Sequence, residues 1–307
     1  MKRVLITGGT GFLGRALTDE LLKSNNEIVW LSRDPGRVKK IPSGVRVEKW
    51  DGKTAQGWGK LVEGADAIVN LAGASIGTPP IPWTKSRKEN IRASRVNAGH
   101  SVVEAIRAAS SKPRVLVQSS AVGYYGPRRD ELIQENESAG KDFLSQVCVD
   151  WEASTAEASS LGVRRVVVRT GLPLTFQGGV LPMLALPFRF FAGGPIGSGK
   201  QYVPWIHIAD EIGAIKFLMG DEATHGAYNL SAPNPLTNAE FSRVLGRVLK
   251  RPSWLPVPGF AMSFALGELA DLLLLSGQRQ VPTRLLEAGY KFQFTDAESA
   301  LKDLLRA

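Results

Sequence analysis

Short apolar runs and amphipathic stretches alternate along the first half of the chain. Runs at Val4–Ile6, Glu27–Leu31, Val45–Lys49, Ala67–Leu71, Arg114–Gln118 and Arg165–Arg169 have the length and β-branched content of buried strands. Between them, Arg15–Leu22, Lys85–Ala109 and about Phe143–Leu161 place apolar residues at helical spacing. That alternation implies right-handed crossovers and a doubly wound, mostly parallel α/β sheet. The second half reads differently. From Gly171 to Pro204 glycine and proline are dense, which predicts a loop-rich segment lining a pocket. Trp205–Met219 returns to strand then helix. Thr237, three residues before Glu240, has the spacing of a capping box for a helix over Leu236–Arg251. Pro252, Pro256 and Pro258 break the chain before the last helical patterns. The apolar stretch Pro258–Leu275 carries Glu268 and Asp271, so it predicts an amphipathic helix packed on protein and no membrane span. The expected division is residues 1–170 as a nucleotide-binding domain, with 206–230 returning to it, and 171–307 as a smaller substrate-side cap.

Composition narrows the partners. The 307 residues hold one large unit or two smaller domains, and 43% hydrophobic residues supply a core. The formal charge is +9, but the basic residues are scattered without a like-charge block. This patterning favours anionic phosphates over nucleic acid as partners. A single cysteine, Cys148, excludes an internal disulfide and a cysteine-rich metal site. His100, His207 and His225 lie far apart, with no metal-ligand spacing. The chain enters its first strand at once after Met1-Lys2-Arg3, so a cytoplasmic monomer or homodimer is expected, or an organelle protein if an upstream transit peptide was removed.

The candidate chemistry starts behind the first strand, at Thr7-Gly8-Gly9-Thr10-Gly11-Phe12-Leu13-Gly14. Glycines at a strand-to-helix turn permit a tight bend, close backbone approach and close helix packing. The helix N-terminus then offers free N–H groups and a positive dipole end to a pyrophosphate. Gly8, Thr10, Gly11, Phe12, Leu13 and Gly14 are therefore cofactor-binding candidates. The spacing is Gly-x-x-Gly-x-x-Gly. At the tip of the second strand, Ser32 and Arg33 suit a ribose 2′-phosphate, which selects NADP(H); Asp34 would favour NAD if it pointed inward. Asp51 either accepts from the adenine amino group or caps a turn. The small residues of Leu71-Ala72-Gly73 let the backbone approach a dinucleotide.

The fifth strand ends Ser119-Ser120-Ala121-Val122-Gly123-Tyr124-Tyr125-Gly126. With the glycine turn, Leu71-Ala72-Gly73 and Trp205-Ile206-His207-Ile208-Ala209-Asp210, it resembles the extended short-chain dehydrogenase/reductase superfamily over about residues 1 to 230. A narrower likeness covers essentially the whole chain. It rests on Leu31-Ser32-Arg33, Ser94-Arg95-Val96, Gly193-Gly194-Pro195-Ile196-Gly197-Ser198-Gly199, Thr237-Asn238-Ala239-Glu240-Phe241 and Ala288-Gly289-Tyr290. These resemble the atypical epimerase family branch, SulA/YfcH-like. The resemblance implies a Rossmann-type fold, NADP(H) binding and a small-molecule substrate of undefined identity.

The superfamily's catalytic Tyr-x-x-x-Lys pair is absent. Aligning Glu152 with the glutamate that trails the pair puts Leu144 and Cys148 at its positions. Tyr125 is one replacement proton donor, although Gly126-Pro127 bars a shared helical face with Arg129. Ser119 or Ser120 matches the substrate-binding serine. Cys148, among Val147, Val149 and Trp151, reads as core, and His207 as a structural anchor. Arg95 faces either a cofactor phosphate or an anionic substrate, with Asn90 nearby on the same helix; a surface placement is the other option for Arg95. Two functions follow: an NADP(H)-dependent oxidoreductase or epimerase-like enzyme, or a catalytically silent NADP(H)-binding regulatory or cell-division-associated protein.

Overall fold

The computed structural model describes residues 2–305. Among them seven strands form one parallel sheet: β1 (Arg3–Thr7), β2 (Glu27–Ser32), β3 (Val45–Lys49), β4 (Ala67–Asn70), β5 (Val115–Ala121), β6 (Arg164–Thr170) and β7 (Gly226–Leu230). Their order across the sheet is β7-β6-β5-β4-β1-β2-β3. The order reverses between β1 and β4, which is where a doubly wound sheet opens a crevice at its carboxyl edge.

Side-chain alternation sorts the strands' residues onto two apolar layers. Val4, Ile6, Trp30 and Val117 face α1 (Phe12–Leu22), whereas Leu5, Val29 and Leu116 face α2 (Lys85–Ala108). Because the sheet is covered on both sides, its strands read as nearly continuous apolar runs. Thr84 caps α2 by accepting from the Arg87 N–H, and Asp142 caps α3 (Phe143–Ala153) by accepting from Leu144 and Ser145.

Three expectations change. The helix predicted to Leu161 stops at Ala153, because the Ser154 and Thr155 hydroxyls turn back onto the carbonyls of Trp151 and Glu152; a separate 3-10 turn spans Ala156–Ser159. The segment Gly171–Pro204 contains α4 (Leu181–Arg189), with Pro182 tolerated in its first turn and Pro187 near its end. The stretch Pro258–Leu275 is two helices, α5's successors in chain order: after α5 (Ile208–Gly220) and α6 (Asn238–Leu249) come α7 (Gly259–Leu266) and α8 (Glu268–Leu273), divided at Gly267, whose φ is +55°. Packing on protein is only partial at α7, where Met262 and Leu266 are half-buried. The helix fully buries none of its residues, and Phe260 and Phe264 are 80% and 95% exposed. No helix is long and apolar enough to cross a membrane among the described residues.

The chain after β6 contributes both to the sheet layers and to a further apolar cluster. Helix α5 packs on α1, and β7 extends the sheet beside β6. A third apolar cluster gathers Leu174, Phe188, Trp205, Phe241 and Leu301 away from that sheet. His207 is a joint between them: its Nδ1 accepts from the Ala209 N–H at the start of α5, and its ring lies on Phe294, 4.0 Å between centroids. The capping box of Thr237 and Glu240 forms as its spacing predicts.

Two predictions follow from packing. A Cβ on Gly14 would meet the Gly8 carbonyl oxygen at 2.5 Å and the Gly9 Cα at 2.6 Å. Gly14→Ala, which ordinarily stabilises a helix interior by about 1 kcal/mol, should here destabilise by about 1–3 kcal/mol; a variant with an unchanged or raised Tm contradicts this packing. Glu211 is wholly buried, with Oε1 accepting from the Thr170 hydroxyl and Oε2 unpartnered, and burial lifts its carboxyl to about 8. The native chain then keeps a proton that the unfolded chain releases, so stability falls as pH rises from about 4.5 to about 8. Thermal melts of Glu211→Gln should match the parent near pH 5 and exceed it by ~2 °C or more near pH 8. A variant less stable at both values would overturn the assignment.

Candidate functional site

The glycine turn between β1 and α1 is built by contacts that exclude side chains. Gly8 has φ +72°, and a Cβ there would meet the Leu71 carbonyl oxygen at 2.8 Å. Gly9 lies against the Trp30 indole, where a Cβ would come within 2.3 Å of the ring. The indole is fixed in turn, donating from Nε1 to Thr18 Oγ1 (2.8 Å), whose hydroxyl donates to the Gly14 carbonyl (2.7 Å). No side chain caps α1; Gly11 N–H closes the turn onto Gly8 O, and Arg15 N–H begins the helical bonding at Gly11 O. The backbone N–H groups of Phe12, Leu13 and Gly14 consequently lie at the open, positive end of α1. Thr10 is exposed beside them, its carbonyl accepting from Arg15 Nε.

Across this turn, Leu71 N–H donates to Thr7 O and Ala72 N–H to Thr7 Oγ1, which ties the β4 tip to the β1 tip. At the end of β2, Ser32 is half-buried and accepts from the Asp34 N–H, while Arg33 is exposed with its aliphatic stem 3.4 Å from where a Gly52 Cβ would stand. The Asp34 carboxylate pairs with Arg37 (3.0 Å). The tip thus presents Arg33 beside an acid already matched by another cation. Asp51 forms a local turn: its carboxylate accepts from the N–H groups of Lys53 and Thr54 and from the Thr54 hydroxyl, and those bonds lower its pKa. Both its oxygens are engaged, so its turn-capping option is the one the structure displays. Asn90 is exposed to solvent on α2 and does not join the site.

Arg95, by contrast, points inward. It is 7% exposed, stacks on Gly73, and stands 5.0 Å from the Trp151 ring centroid. It lines a cavity of about 590 Å³ that lies beyond the β-strand tips. Ala121, Leu144, Cys148 and Trp151 form the sheet side of this cavity; α4 and α6 close the far side with Leu184 and Phe241. Leu144 and Cys148, at the positions of the absent pair, are wall residues. Burial lifts the Cys148 thiol to about 12, so it stays protonated and serves as packing.

The two catalytic candidates are placed elsewhere. Ser119 lies in β5, buried, on the face opposite Ser120, and the cavity wall at this strand end is made by Ala121, Val122 and Gly123. Ser120 donates to Glu152 Oε1 (2.7 Å). Tyr125 is fully buried; its hydroxyl donates to Asn229 Oδ1 (2.6 Å) and accepts from Arg169 Nη1 (3.0 Å). Burial pushes its phenol up to about 12. Its hydroxyl is occupied within the fold and does not face the cavity, which removes the geometric basis for a proton donor there.

Sequence reasoning missed Arg169. Its guanidinium grips Glu152 with two bonds, Nε to Oε1 (2.9 Å) and Nη2 to Oε2 (3.0 Å), and lies 3.5 Å above the Tyr124 ring centroid. The signal was available: an arginine directly behind the apolar run Val166-Val167-Val168, within the same buried strand, needs a buried partner. No group of His, Cys, Asp and Glu could hold a metal ion among the described residues.

Comparison with known proteins agrees with this geometry. Residues 4–231 match the NAD dependent epimerase/dehydratase family, and residues 257–304 match a domain of unknown function, DUF1731. The chain is 38% identical over 311 residues to the Epimerase family protein SDR39U1 homolog, chloroplastic, of Arabidopsis thaliana, covering 99% of this chain and 86% of that protein. It is 36% identical to the human Epimerase family protein SDR39U1 over 304 residues, covering 99% of each. The crystal structure of human epimerase family protein SDR39U1 (isoform2) with NADPH superposes with a TM-score of 0.88 at 34% identity, again over 99% of both chains. With its glycine turn, parallel sheet and full-length relatives, this chain belongs to the NAD dependent epimerase/dehydratase family.

Proposed function

We propose that this protein binds NADP(H) across the carboxyl edge of its sheet and works as an NADP(H)-dependent oxidoreductase or epimerase-like enzyme on a small molecule held in the adjoining cavity. The observation that carries this reading is the α1 N-terminus, which no side chain caps, set behind a turn whose close contacts admit no Cβ. The bound nicotinamide supplies hydride chemistry; the chain's part is to bind, orient and exclude water.

The cofactor candidates at the glycine turn and the β2 and β4 tips each have a task in this scheme. The N–H groups at Phe12, Leu13 and Gly14 receive the pyrophosphate, with Gly8 and Gly11 leaving room for it and Thr10 at its edge. Ser32 and Arg33 receive the ribose 2′-phosphate, a match for a planar guanidinium fork. Leu71, Ala72 and Gly73 form the floor beneath the ribose. The NADPH in the human relative's structure supports the same choice of cofactor. The reading includes a monomer or homodimer in the cytoplasm, or inside an organelle as the chloroplastic naming of the Arabidopsis relative suggests.

A second reading is favoured by one observation: Leu144, Cys148 and Ala121 give the cavity wall no acid or base near the strand tips. On that reading the protein is a catalytically silent NADP(H)-binding regulator. Calorimetric titration should show NADPH binding at least about tenfold tighter than NADH. Arg33→Ala should weaken NADPH by about tenfold or more while sparing NADH; equal losses for both cofactors would refute the 2′-phosphate role. A screen of aldehydes, ketones and quinones should reveal NADPH oxidation that Ala121→Phe abolishes. Tight NADPH binding with no oxidation of any carbonyl or quinone would establish the silent reading instead.

A further inference from the structure

Several polar side chains of the cavity are engaged with backbone groups, whereas the Trp151 Nε1 is buried without a partner. Asn238 Oδ1 accepts from the Ile196 N–H, Ser242 donates to Gly194 O, Ser276 to Leu272 O, and Gln278 Nε2 to Gly126 O. Gln201 Nε2 donates to Ile196 O and Leu274 O, which leaves its Oε1 as an isolated acceptor. The remaining wall is dominated by Leu, Val, Met, Phe and Trp. A sugar nucleotide entering here would lose water from several hydroxyls, each at about 1–3 kcal/mol if left unpaired. The cavity therefore selects against polyhydroxylated ligands and for hydrocarbon.

Arg95 is the charged residue of this wall. Its guanidinium lies inside the apolar cavity, and among the described residues its hydrogen bonds go to backbone carbonyls and to no carboxylate. Its Nη1 donates to Ala74 O (3.1 Å) and Ile91 O (2.9 Å), and no other hydrogen bond forms from its Nε or Nη2. Burial brings its pKa down to about 10, which leaves it charged at neutral pH. Gly73 beneath and Trp151 beside it fix the plane of the group. A buried cation without an anion is costly, and a carboxylate ligand would restore the missing charge through a charge-assisted fork. The approach is apolar too: α7 contributes Met262 to the cavity wall and exposes Phe260 and Phe264.

We propose that the cavity binds an apolar carboxylic acid, its carboxylate seated on Arg95 and its hydrocarbon lying between α4 and α6. This names the substrate class of the enzyme proposed above and rests on that reading only for turnover, because binding is measurable without the cofactor. The test is calorimetric titration of the full chain, with and without NADPH, using decanoate, its neutral counterpart decanol, and UDP-glucose. Decanoate should bind at least tenfold tighter than decanol, and UDP-glucose should not compete. Arg95→Gln should remove that preference by weakening decanoate alone, and Arg95→Lys, which keeps the charge, should retain part of it. Equal binding of decanoate and decanol by the parent would overturn the proposal. So would an Arg95→Gln variant that weakens NADPH tenfold and leaves decanoate intact, since the guanidinium would then belong to the cofactor. Decanoate binding that depends on Arg95 in a chain failing to bind NADPH would uphold this inference and refute the cofactor reading.

Discussion

The doubly hydrogen-bonded pair of Arg169 and Glu152 ties together the parts of the molecule that form the cavity. It joins the end of β6 to α3, and through Tyr125, Asn229 and Gln280 it reaches the C-terminal segment: Gln280 Nε2 donates both to Asn229 Oδ1 and to Arg169 O. Such a pair need add little net stability, because desolvating two charges offsets their attraction. Losing one partner is another matter, at about 3–5 kcal/mol, since the survivor stays buried and charged. The pair accordingly sets geometry. It holds α3 so that Leu144, Cys148 and Trp151 face the cavity, and it draws the Tyr125 hydroxyl away from it.

That arrangement separates cofactor binding from the superfamily's usual proton chemistry. The glycine turn, the basic strand tip and the bare helix end are backbone features or lie at the sheet's edge, and they do not depend on what α3 presents. The wall where a tyrosine and lysine would stand is apolar, and its thiol is held protonated by burial. In place of a proton donor the cavity offers Arg95, a fixed cation that can bind or polarise but does not give up a proton near neutral pH. Hydrocarbon walls and one buried cation describe a site different in character from one for a sugar nucleotide.

Local signals made the first half legible. The glycine turn could be read because strand, glycines and helix succeed one another within a few residues, and so could the later cap at Thr237, which lies beside the helix it starts. Inward placement of Arg95 was one of two options open from sequence; its burial was decided by Gly73 and Trp151, which lie far off in the chain. Tyr125 could not be oriented from its own loop, since its hydroxyl is directed by Arg169 and Asn229, 44 and 104 residues away. Helix α4 was hidden by Pro182 and Pro187, which read as breakers although one falls in the first turn and the other near the end. The exposure of α7 had no sequence signal: an apolar helix ordinarily predicts burial, and here α7 stands at the cavity wall without a covering layer.

The central claim is that the retained cofactor site delivers its nicotinamide to this apolar cavity. A crystal structure of the protein with NADPH measures that directly. The account predicts the pyrophosphate at the N–H groups of Phe12, Leu13 and Gly14, the 2′-phosphate on Arg33, and the nicotinamide C4 open to the cavity between Ala121 and Arg95. A nicotinamide turned out to solvent, or walled off from the cavity by α3, would contradict it.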